Sequence, residues 1–356
     1  MVLTINPGST STKVALFEGT ACITQESLSH SAQELGAYEH VAGQLEMRVQ
    51  AVLSFLERNS IAIPSLECIM ARGGVLHPLA AGIYRVNEQM LADCREARIA
   101  EHASNLGSLI AQRVAGETGV PCYIADPVSV DEFEDVARLS GLKELPRRSL
   151  VHALNIRRIA FKTAEQHGRR LEDMDMVVAH LGGGISVAPL HHGRIVDVNN
   201  ANEQGPYSPE RAGGMPASSL VRLCFEEGAT LDSVTRMLTR EGGLVSYLGT
   251  NDAREVVRRI EAGDDYARLV FEGMAYQIAK EIGAMATVLE GHVDVIVLTG
   301  GLANNTMLTG WIVPRIAFIA PVELMPGEDE LAALNEAWLR LKQGTETEKV
   351  YEKEAP

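Results

Sequence analysis

One arrangement of strands and glycine turns occurs twice in this chain, half a chain apart. In each copy a short apolar strand leads to a glycine turn, a second strand, another glycine turn and a third apolar stretch. Gly8 lies 175 residues before Gly183, and Gly19 lies 174 residues before Gly193, in a chain of 356 residues. This spacing predicts a duplicated α/β domain with a cleft between the copies, a geometry that can hold a polyphosphate from both sides. The repeated strands are predicted at residues 1–5, 13–17, 176–181, 185–190 and 195–198.

Length and charge narrow the class of protein. A chain of 356 residues favours two domains, which we place at residues 1–150 and 151–356. The net charge of −15 argues against a nucleic-acid partner, because phosphate backbones need clustered lysine and arginine. The N-terminus has no basic segment typical of a secretory signal, and no apolar run reaches about 18 residues. We therefore expect a cytoplasmic enzyme with no membrane partner.

The remaining pattern alternates helices with strands, which indicates sheets covered by helices. None of the five cysteines forms a CxxC pair, so buried, reduced thiols are favoured over metal or redox chemistry. The charged last ten residues are expected to be frayed. Helices are predicted at residues 41–56, 87–98, 106–117, 150–166, 220–226, 231–239, 266–289 and 328–343, with further strands at 66–70, 122–126 and 293–298.

The glycine turns are the first candidates for chemistry. A turn of glycine, serine and threonine offers backbone N–H groups and hydroxyls to a phosphate without bulky side chains. The first turn is not a Walker P-loop, because its sequence is not GxxxxGK[ST] and a strand follows it where a P-loop is followed by a helix. Each turn alone is weak evidence, since such residues are common in hairpins. Two turns at matched positions favour phosphate binding.

The motifs then resemble a known family. VLTINPGSTSTKVALF at the N-terminus, HLGGGIS at residues 180–186 and LTGG at 298–301 resemble the phosphate and adenosine motifs of acetate kinases, within the actin, hexokinase and Hsp70 superfamily. ARGG at 71–74, EHASNLG at 101–107, GPYSPERAG at 205–213 and PGEDE at 326–330 are most similar to the butyrate kinase branch. The resemblance covers essentially the whole chain. It implies a duplicated actin-like (ribonuclease H-like) two-domain ATPase fold, a last helix packed back on the first domain, and a homodimer or larger homo-oligomer.

The activity that the resemblance implies is ATP-dependent phosphorylation of a short-chain fatty acid, with butanoate first, by direct in-line transfer with Mg²⁺. A carboxylic acid is already ionised at pH 7, so such a kinase needs no catalytic base, whereas a sugar kinase does. Four alternatives stay open: another short or branched acid (propionate, isobutyrate or acetate), a sugar kinase of the same superfamily, a nucleotide-switched binding protein, and an inactive protein that keeps the fold.

The catalytic residues are expected at five positions. Arginine presents a planar fork that suits carboxylate and phosphoryl oxygens. By resemblance, two arginines clamp the carboxylate and the transferred phosphoryl group, and two histidines hydrogen-bond the phosphoryl oxygens. Asp126 ends a strand and either orients an arginine, holds Mg²⁺-bound water or serves only as a turn cap. The expected catalytic set is Arg72, Asp126, His152, His180 and Arg211.

Binding residues follow from the same resemblance. Glu328 is the expected metal-side carboxylate, with Glu330 as the alternative. By the same resemblance, Gly73 and Gly74 stand where acetate kinases carry bulky valines, and Val151 stands where they carry phenylalanine. The extra room for two methylenes would favour butyrate over acetate by about 1.6 kcal/mol. Asp252 could instead cap a helix that begins at Ala253. The substrate set is Gly73, Gly74, His102 and Val151. The nucleotide set is Asn6, Gly8, Ser9, Thr10, Ser11, Lys13, Gly182, Gly183, Gly184, Asp252, Ala253, Arg254, Gly300, Gly301 and Asn304.

Overall fold

The structure, a computed structural model, describes residues 1–352 as two compact units. Unit 1 comprises residues 1–131, 153–158 and the C-terminal part from Asp329, and unit 2 comprises residues 132–152 and 159–328. The division differs from the predicted boundary at residue 150, because residues 132–152 group with unit 2 and the C-terminal segment groups with unit 1. Within the described residues, no helix combines the length and apolar character needed to cross a bilayer.

Unit 1 is built on a seven-stranded sheet in the order β12-β5-β6-β4-β1-β2-β3. The pair β1–β2 and the pair β2–β3 are antiparallel, whereas β4 runs parallel to both β1 and β6. The strands of unit 1 are β1 (Val2–Pro7), β2 (Ser11–Glu18), β3 (Ala21–Ser29), β4 (Cys68–Arg72), β5 (Ile83–Arg85), β6 (Cys122–Ala125) and, later in the chain, β12 (Glu348–Lys349).

Helices cover both faces of this sheet. The helices of unit 1 are α1 (Ala32–Leu35), α2 (Leu45–Arg58), α3 (Glu88–Glu96), α4 (Leu106–Ala115) and, near the end of the chain, α12 (Glu330–Gln343). One face packs against α2, α3 and α4, where Val52, Phe55 and Ile110 are fully buried. The other face packs against α12 through Leu334 and Ala337. Burying both faces explains why the central strands are almost entirely apolar.

Unit 2 repeats this topology with fewer strands. Its five-stranded sheet has the order β11-β10-β7-β8-β9, in which β7–β8 and β8–β9 are antiparallel and β10 is parallel to both β7 and β11. Three sequential antiparallel strands followed by two parallel ones therefore occur in both units, as the duplicated sequence pattern predicts. The strands are β7 (Met176–Leu181), β8 (Ile185–His191), β9 (Arg194–Ile195), β10 (Val295–Gly300) and β11 (Val322–Pro326).

The helices of unit 2 pack on one another and on this sheet. The long helix α10 is the centre of the core, where Phe271, Met274 and Ile278 have no solvent exposure. Helix α5 is shared, because its first six residues belong to unit 1 and the rest to unit 2. The helices are α5 (Ala153–Gln166), α6 (Ala217–Cys224), α7 (Leu231–Thr239), α8 (Gly243–Leu248), α9 (Ala253–Glu261), α10 (Asp265–Val288) and α11 (Thr306–Ile316).

Two sequence-based expectations are wrong in part. The third repeated strand, predicted at residues 195–198, is only Arg194–Ile195, because the Asn199 side chain takes over the pairing role: it accepts from Val187 N (2.7 Å) and donates to Ile185 O (2.8 Å). The last ten residues are not all frayed, because β12 pairs with β5 and Tyr351 is 2% exposed. Residues 353–356 of that prediction lie outside the described part of the chain.

Cysteines are free thiols in the structure. Cys68, Cys94 and Cys122 are buried, as expected, whereas Cys22 and Cys224 are exposed. Burial raises the pKa of the Cys94 thiol to about 11 and that of the Cys122 thiol to about 12. These two thiols are therefore protonated at neutral pH and unreactive.

Candidate active site

The first glycine turn lies at the tip of the β1–β2 hairpin. Gly8 N donates to Ser11 O (2.8 Å), which closes the turn, and Ser9 and Thr10 are exposed at its tip. Asn6 and Lys13 face each other across the strand pair, with Asn6 buried and Lys13 exposed. A β-carbon on Gly8 would meet nothing closer than 3.5 Å. The protein's own packing therefore does not require glycine here, whereas close approach of a ligand to the backbone would.

A buried arginine that the sequence analysis missed holds this turn from beneath. Arg48 on α2 has no solvent exposure. Its Nη1 donates to Gly8 O (2.9 Å) and Ser11 O (3.1 Å), and its Nη2 donates to Ser9 O (3.3 Å). Burial lowers the pKa of this guanidinium, which nevertheless stays charged because the ordinary value is so high. The turn is thus fixed by a cation on its underside.

Arg48 belongs to a small buried network with Thr12 and His30. Arg48 Nη1 donates to Thr12 Oγ1 (3.1 Å), and Thr12 Oγ1 lies 2.9 Å from His30 Nε2. His30 is buried, with 7% of its surface exposed. Burial and, to a smaller extent, the neighbouring Arg48 charge lower the pKa of His30. His30 is therefore neutral at pH 7, and its Nε2 can accept a hydrogen bond from the Thr12 hydroxyl group.

Arg72, at the end of β4, forms a cluster with Asn6 and Glu330. Arg72 Nη1 lies 2.7 Å from Glu330 Oε1 and 3.4 Å from Asn6 Oδ1. Asn6 Nδ2 also donates to the Glu330 carboxylate. All three belong to unit 1, because Glu330 begins α12, which packs on the unit 1 sheet. Of the two acidic candidates in this loop, Glu330 is therefore the one beside the predicted catalytic arginine Arg72.

Gly73 and Gly74 do not open space for a substrate. A β-carbon on Gly73 would overlap Pro127, and one on Gly74 would lie 2.8 Å from Asn105 Cα and Oδ1. The volume that larger side chains would take is already filled by neighbouring protein atoms. The small size of these glycines allows Pro127 and Asn105 to pack closely against the backbone. The packing therefore does not support the prediction that the two glycines enlarge an acyl pocket.

His102 caps the short 3₁₀ turn Ala103–Asn105. Its Nδ1 accepts from Ser104 N (3.2 Å), which leaves the other ring nitrogen protonated in the neutral form. Next to it is a cavity of about 380 Å³ within unit 1. Its lining consists of polar and charged residues and neighbouring aliphatic groups, and the former are His40, Cys94, Arg95, Glu96, Glu101, His102 and Asn105. His102 therefore borders a space that a small molecule can enter. Its role in substrate binding remains a prediction.

Asp126 lies in an internal ion-pair network of unit 1. It is 2% exposed, accepts from Gly82 N (2.7 Å) and lies 2.9 Å from Arg157 Nε. Arg157 in turn contacts Glu346 (2.6 Å). Burial raises the pKa of Asp126, and the Arg157 charge opposes this rise. The described contacts of Asp126 are thus with Gly82 and Arg157 rather than with Arg72, which favours a structural role over the expected orientation of a catalytic arginine.

The second glycine turn, residues 182–184, lies at the tip of the β7–β8 hairpin in unit 2. Ser208 Oγ donates to Gly183 O, and Gly182 N donates to Gly184 O (3.2 Å). No atom lies within 4 Å of the place that a β-carbon on Gly183 would take. On Gly184, by contrast, a β-carbon would overlap the Arg211 guanidinium. Gly184 therefore allows Arg211 to lie directly against the turn.

Arg211 differs from most arginines of the chain in making no direct ion pair or side-chain hydrogen bond within residues 1–352. Its side chain is half-buried. Burial lowers the pKa of its guanidinium, and the neighbouring Glu210 charge opposes this shift. A half-buried guanidinium whose donors are not taken by the protein can bind the oxygens of an anionic ligand. Arg211 and the second turn therefore form a site suited to an anion.

Two stacked histidines lie beside this turn. The rings of His152 and His180 are 4.1 Å apart between centroids and 11° from parallel. His152 Nδ1 lies 2.9 Å from Ser186 Oγ, and His180 Nε2 lies 3.2 Å from Glu328 Oε2. The predicted histidine pair is thus brought together within unit 2, and Glu328 pairs with His180. Val151, next to His152, is 2% exposed, so its side chain belongs to the core.

The predicted adenosine residues fall at helix and strand ends. Asp252 caps α9, because its side chain accepts from Arg254 N (2.9 Å), and it also pairs with the Arg254 guanidinium. The capping alternative for Asp252 is therefore what the structure shows, and Ala253 is buried as the first residue of that helix. Gly300 has φ +86° and a β-carbon there would overlap Leu181, whereas Gly301 faces open space. Asn304 Nδ2 donates to Gly301 O (3.1 Å).

Comparison with solved structures assigns the fold class. The structure is similar to that of Porphyromonas gingivalis acetate kinase, with a TM-score of 0.77 and 18% identity, over 96% of this chain and 99% of that chain. At this identity the likeness shows the fold alone. The predicted actin-like α/β fold is confirmed.

Sequence comparison assigns the family. Residues 142–317 match the profile of the acetokinase family. The chain is 51% identical over 350 residues to a probable butyrate kinase 2 of Caldanaerobacter subterraneus subsp. tengcongensis, over 98% of this chain and 99% of that protein. It is 47% identical over 351 residues, with the same coverage, to butyrate kinase 2 of Clostridium acetobutylicum. The chain belongs to the acetokinase family, which confirms the resemblance seen in its motifs.

Proposed function

We propose that this protein is an ATP-dependent carboxylate kinase that converts ATP and butanoate to ADP and butanoyl phosphate. The observation that carries the proposal is the half-buried Arg211, which lies against the second glycine turn and makes no direct ion pair within the described residues, so that its donors can bind an anionic ligand. The relatives named butyrate kinases, which match almost the whole chain, support butanoate as the acid. The structure itself offers no enlarged pocket at Gly73 and Gly74 that would select it.

The two glycine turns are proposed to bind the phosphates of the nucleotide. Gly8 and Gly183 have neither a positive φ nor a crowded α-carbon, so neither backbone strain nor packing requires glycine at these positions. Backbone N–H groups at such bare turns can approach phosphate oxygens closely. Arg48 holds the first turn in shape by binding its carbonyl groups, and Ser208 does the same for the second turn.

In the proposed step, a carboxylate oxygen of butanoate attacks the γ-phosphorus of ATP, and the bond from that phosphorus to the bridging oxygen breaks. The electron pair leaves with ADP, and no proton moves because the acid is already ionised. The main barrier is repulsion between two anions. Arg72, Arg211 and His180 are proposed to neutralise it, with His152 orienting His180 by stacking.

The residues around Arg72 suit Mg²⁺. The Glu330 carboxylate and the Asn6 amide oxygen are the kind of hard oxygen ligand that Mg²⁺ takes, usually with water and substrate phosphates. We favour Glu330 over the originally expected Glu328, because Glu328 pairs with His180. Bound Mg²⁺ would supply charge neutralisation on the phosphates. Asn6 and Glu330 hold each other in place and orient Arg72.

The sugar-kinase alternative needs a catalytic base, and Asp126 is poorly placed for that task. Its carboxyl group is buried and bound to Gly82 N and Arg157. Replacing Asp126 by asparagine should lower the free energy of unfolding, while the protein that remains folded should keep its catalytic activity. Complete loss of turnover in well-folded Asp126→Asn protein would instead favour a base, and with it a hydroxyl acceptor.

Self-association is part of the proposal. Helices α6 and α7 bury none of their residues, and Phe225 (87% exposed) and Leu231 (88% exposed) present apolar surface there. Exposed apolar surface of this kind marks interaction sites. We propose a homodimer or larger homo-oligomer, to be checked by light scattering on the purified protein. A monodisperse monomer at assay concentration would contradict it.

The test of the reaction is a hydroxamate assay, which traps acyl phosphates, with ATP and Mg²⁺ and a series of acids: acetate, propionate, butyrate, isobutyrate and valerate. We expect the largest kcat/KM with butyrate. If kcat/KM is largest with another acid, the proposed reaction stands and that acid replaces butanoate as the proposed substrate. Absence of acyl phosphate from every acid would refute the carboxylate kinase proposal. Matched variants are Arg211→Met, which removes the proposed clamp, and Arg236→Met, which removes an exposed arginine elsewhere in unit 2.

A further inference from the structure

A second cluster of potential ligands lies at the opposite end of the β7–β8 hairpin from the glycine turn. Asp175, His191 and His192 each place one ligand atom within 4.8 Å of the other two. Within residues 1–352 they are the only such group of three histidine, cysteine, aspartate or glutamate side chains. The kinase activity proposed above does not use these residues.

Strand register explains why the three side chains meet. Met176 pairs with Leu190 in the antiparallel β7–β8 ladder, so Asp175 lies opposite His191. Adjacent residues in a strand point to opposite faces, but His192 has left the strand and has φ +48° in the turn to β9. The two imidazole rings are consequently 4.1 Å apart between centroids, on the same side as the carboxylate.

The hydrogen bonds leave a nitrogen lone pair on His192, and a metal ion would replace the proton shared between His191 and Asp175. His192 Nδ1 lies 2.9 Å from the carbonyl oxygen of Glu172, which can only accept, so the neutral ring keeps its lone pair on Nε2. His191 Nδ1 lies 2.9 Å from Asp175 Oδ1, which also accepts from His192 N (3.2 Å). Asp175 N donates to Asp294 Oδ2 (2.9 Å), which fixes the backbone of the aspartate.

We propose that Asp175, His191 and His192 bind a divalent transition-metal ion such as Zn²⁺, with water completing the coordination. Two imidazoles and one carboxylate are a ligand set that Zn²⁺ accepts, and its tetrahedral ligand atoms lie about 3.3 Å apart. The 2.9 Å between His191 Nδ1 and Asp175 Oδ1 is close to this spacing. Mg²⁺ is disfavoured, because it prefers oxygen ligands.

A metal ion bound to these three residues would connect the start of β7 to the β8–β9 turn. The cluster is a full strand length from residues 182–184, so the metal would stabilise the sheet without taking part in catalysis. The competing interpretation is a plain cross-strand ion pair between His191 and Asp175, which would need no metal.

The experiment is calorimetric titration of untagged, chelator-treated protein with Zn²⁺, without nucleotide and in excess Mg²⁺, which occupies sites built from oxygen ligands. Variants His192→Gln and Asp175→Asn remove one ligand each. The matched control is His167→Gln, which removes an exposed histidine that pairs with Glu323 (2.7 Å) and is not a member of the cluster. Wild type and control should bind one more Zn²⁺ than the ligand variants, or bind it at least about tenfold more tightly.

A second readout does not depend on the heat of binding. Zn²⁺ should raise the Tm of wild type and His167→Gln but not that of His192→Gln, because a ligand that binds only the folded state stabilises it. Co²⁺ should give a tetrahedral visible absorption band in the wild type that His192→Gln loses. Equal titrations and equal Tm shifts in all variants, or no binding by wild type, would overturn the metal site and leave an ion pair only.

Discussion

The two glycine turns share one strand topology but are held in different ways. In unit 1, the cation Arg48 lies buried beneath the turn and binds its carbonyl oxygens, while the exposed tip carries hydroxyl side chains. In unit 2, the turn consists of glycine alone, and the cation Arg211 lies against Gly184 and makes no direct ion pair within the described residues. The donors of the first arginine are therefore taken by the protein, and those of the second are proposed to bind a ligand.

This contrast teaches that a duplicated fold can keep the glycine turn while dividing two tasks between its copies. One copy fixes the backbone of its turn with a buried cation, and the other presents a cation directly. If this is correct, removing Arg48 should chiefly reduce stability, and removing Arg211 should chiefly reduce the rate.

The largest effect is expected for Arg211→Met. Loss of a cation that is proposed to contact the transferred phosphoryl group should lower kcat by about 10³-fold. The free energy of unfolding should stay nearly the same, because the half-buried Arg211 makes no direct ion pair or side-chain hydrogen bond within the described residues. Steady-state kinetics and urea unfolding of the same preparation give both values. A variant that turns over normally, or that is strongly destabilised, would break the proposed contrast.

Arg48→Met should act in the opposite manner. Three turn carbonyls and Thr12 lose their donor, so the free energy of unfolding should fall by about 3 kcal/mol. In the fraction that folds, KM for ATP should rise more than kcat falls, since the turn is displaced and no reacting group is lost. The matched control is Arg58→Met on the same helix, which breaks a surface pair with Glu26 and should cost at most about 1 kcal/mol.

Gly183→Ala tests whether the second turn faces a ligand. The new methyl group meets no protein atom, so Tm should stay within about 1 °C of the wild-type value. KM for ATP should nevertheless rise about tenfold, because the methyl group blocks close approach of phosphate to the backbone. Gly184→Ala is the internal comparison: it would displace Arg211 and should lower kcat instead. An unchanged KM in Gly183→Ala would place the nucleotide phosphates elsewhere.

The smallest effect concerns His30, next to Arg48. Its pKa in the folded protein is lowered from the usual 6.5, so below that pH the unfolded chain binds a proton that the folded chain does not. Stability should therefore fall as the pH decreases through about 6.5, until the folded-state pKa is reached. Wild type should lose up to about 1 kcal/mol more than His30→Gln between about pH 7.5 and 5.5. Urea unfolding at both pH values measures this, and identical losses would contradict a neutral buried His30.

The two glycine turns could be predicted from the sequence, whereas the side chains that hold them could not, for a physical reason. The paired turns were visible because glycine spacing and apolar alternation are local signals. The partners of those turns are not local: Arg48 and Gly8 are forty residues apart, and Glu330 and Asn6 are separated by 324. One signal could have found Arg48, since it interrupts the apolar face formed by Leu45, Val49 and Val52.

Side chains that replace backbone pairing also escape sequence patterns. Residues 195–198 are mostly apolar, as in a buried strand, yet the Asn199 amide takes the ladder positions next to Ile185 and Val187. Likewise, the acidic and basic residues near the C-terminus suggested fraying, while the single aromatic Tyr351 inserts into the core and its hydroxyl donates to Asp93 (2.9 Å). In both cases one residue outweighs the composition of its segment.

The order in which unit 1 is assembled from the chain has a consequence for its synthesis. Strand β12 and helix α12 complete a sheet whose other strands end by Ala125. While the ribosome makes the intervening two hundred or so residues, one edge of that sheet and the face under α12 stay uncovered. The N-terminal half should therefore depend on chaperones until the C-terminal segment has been made, and it should not be stable as a fragment of residues 1–131.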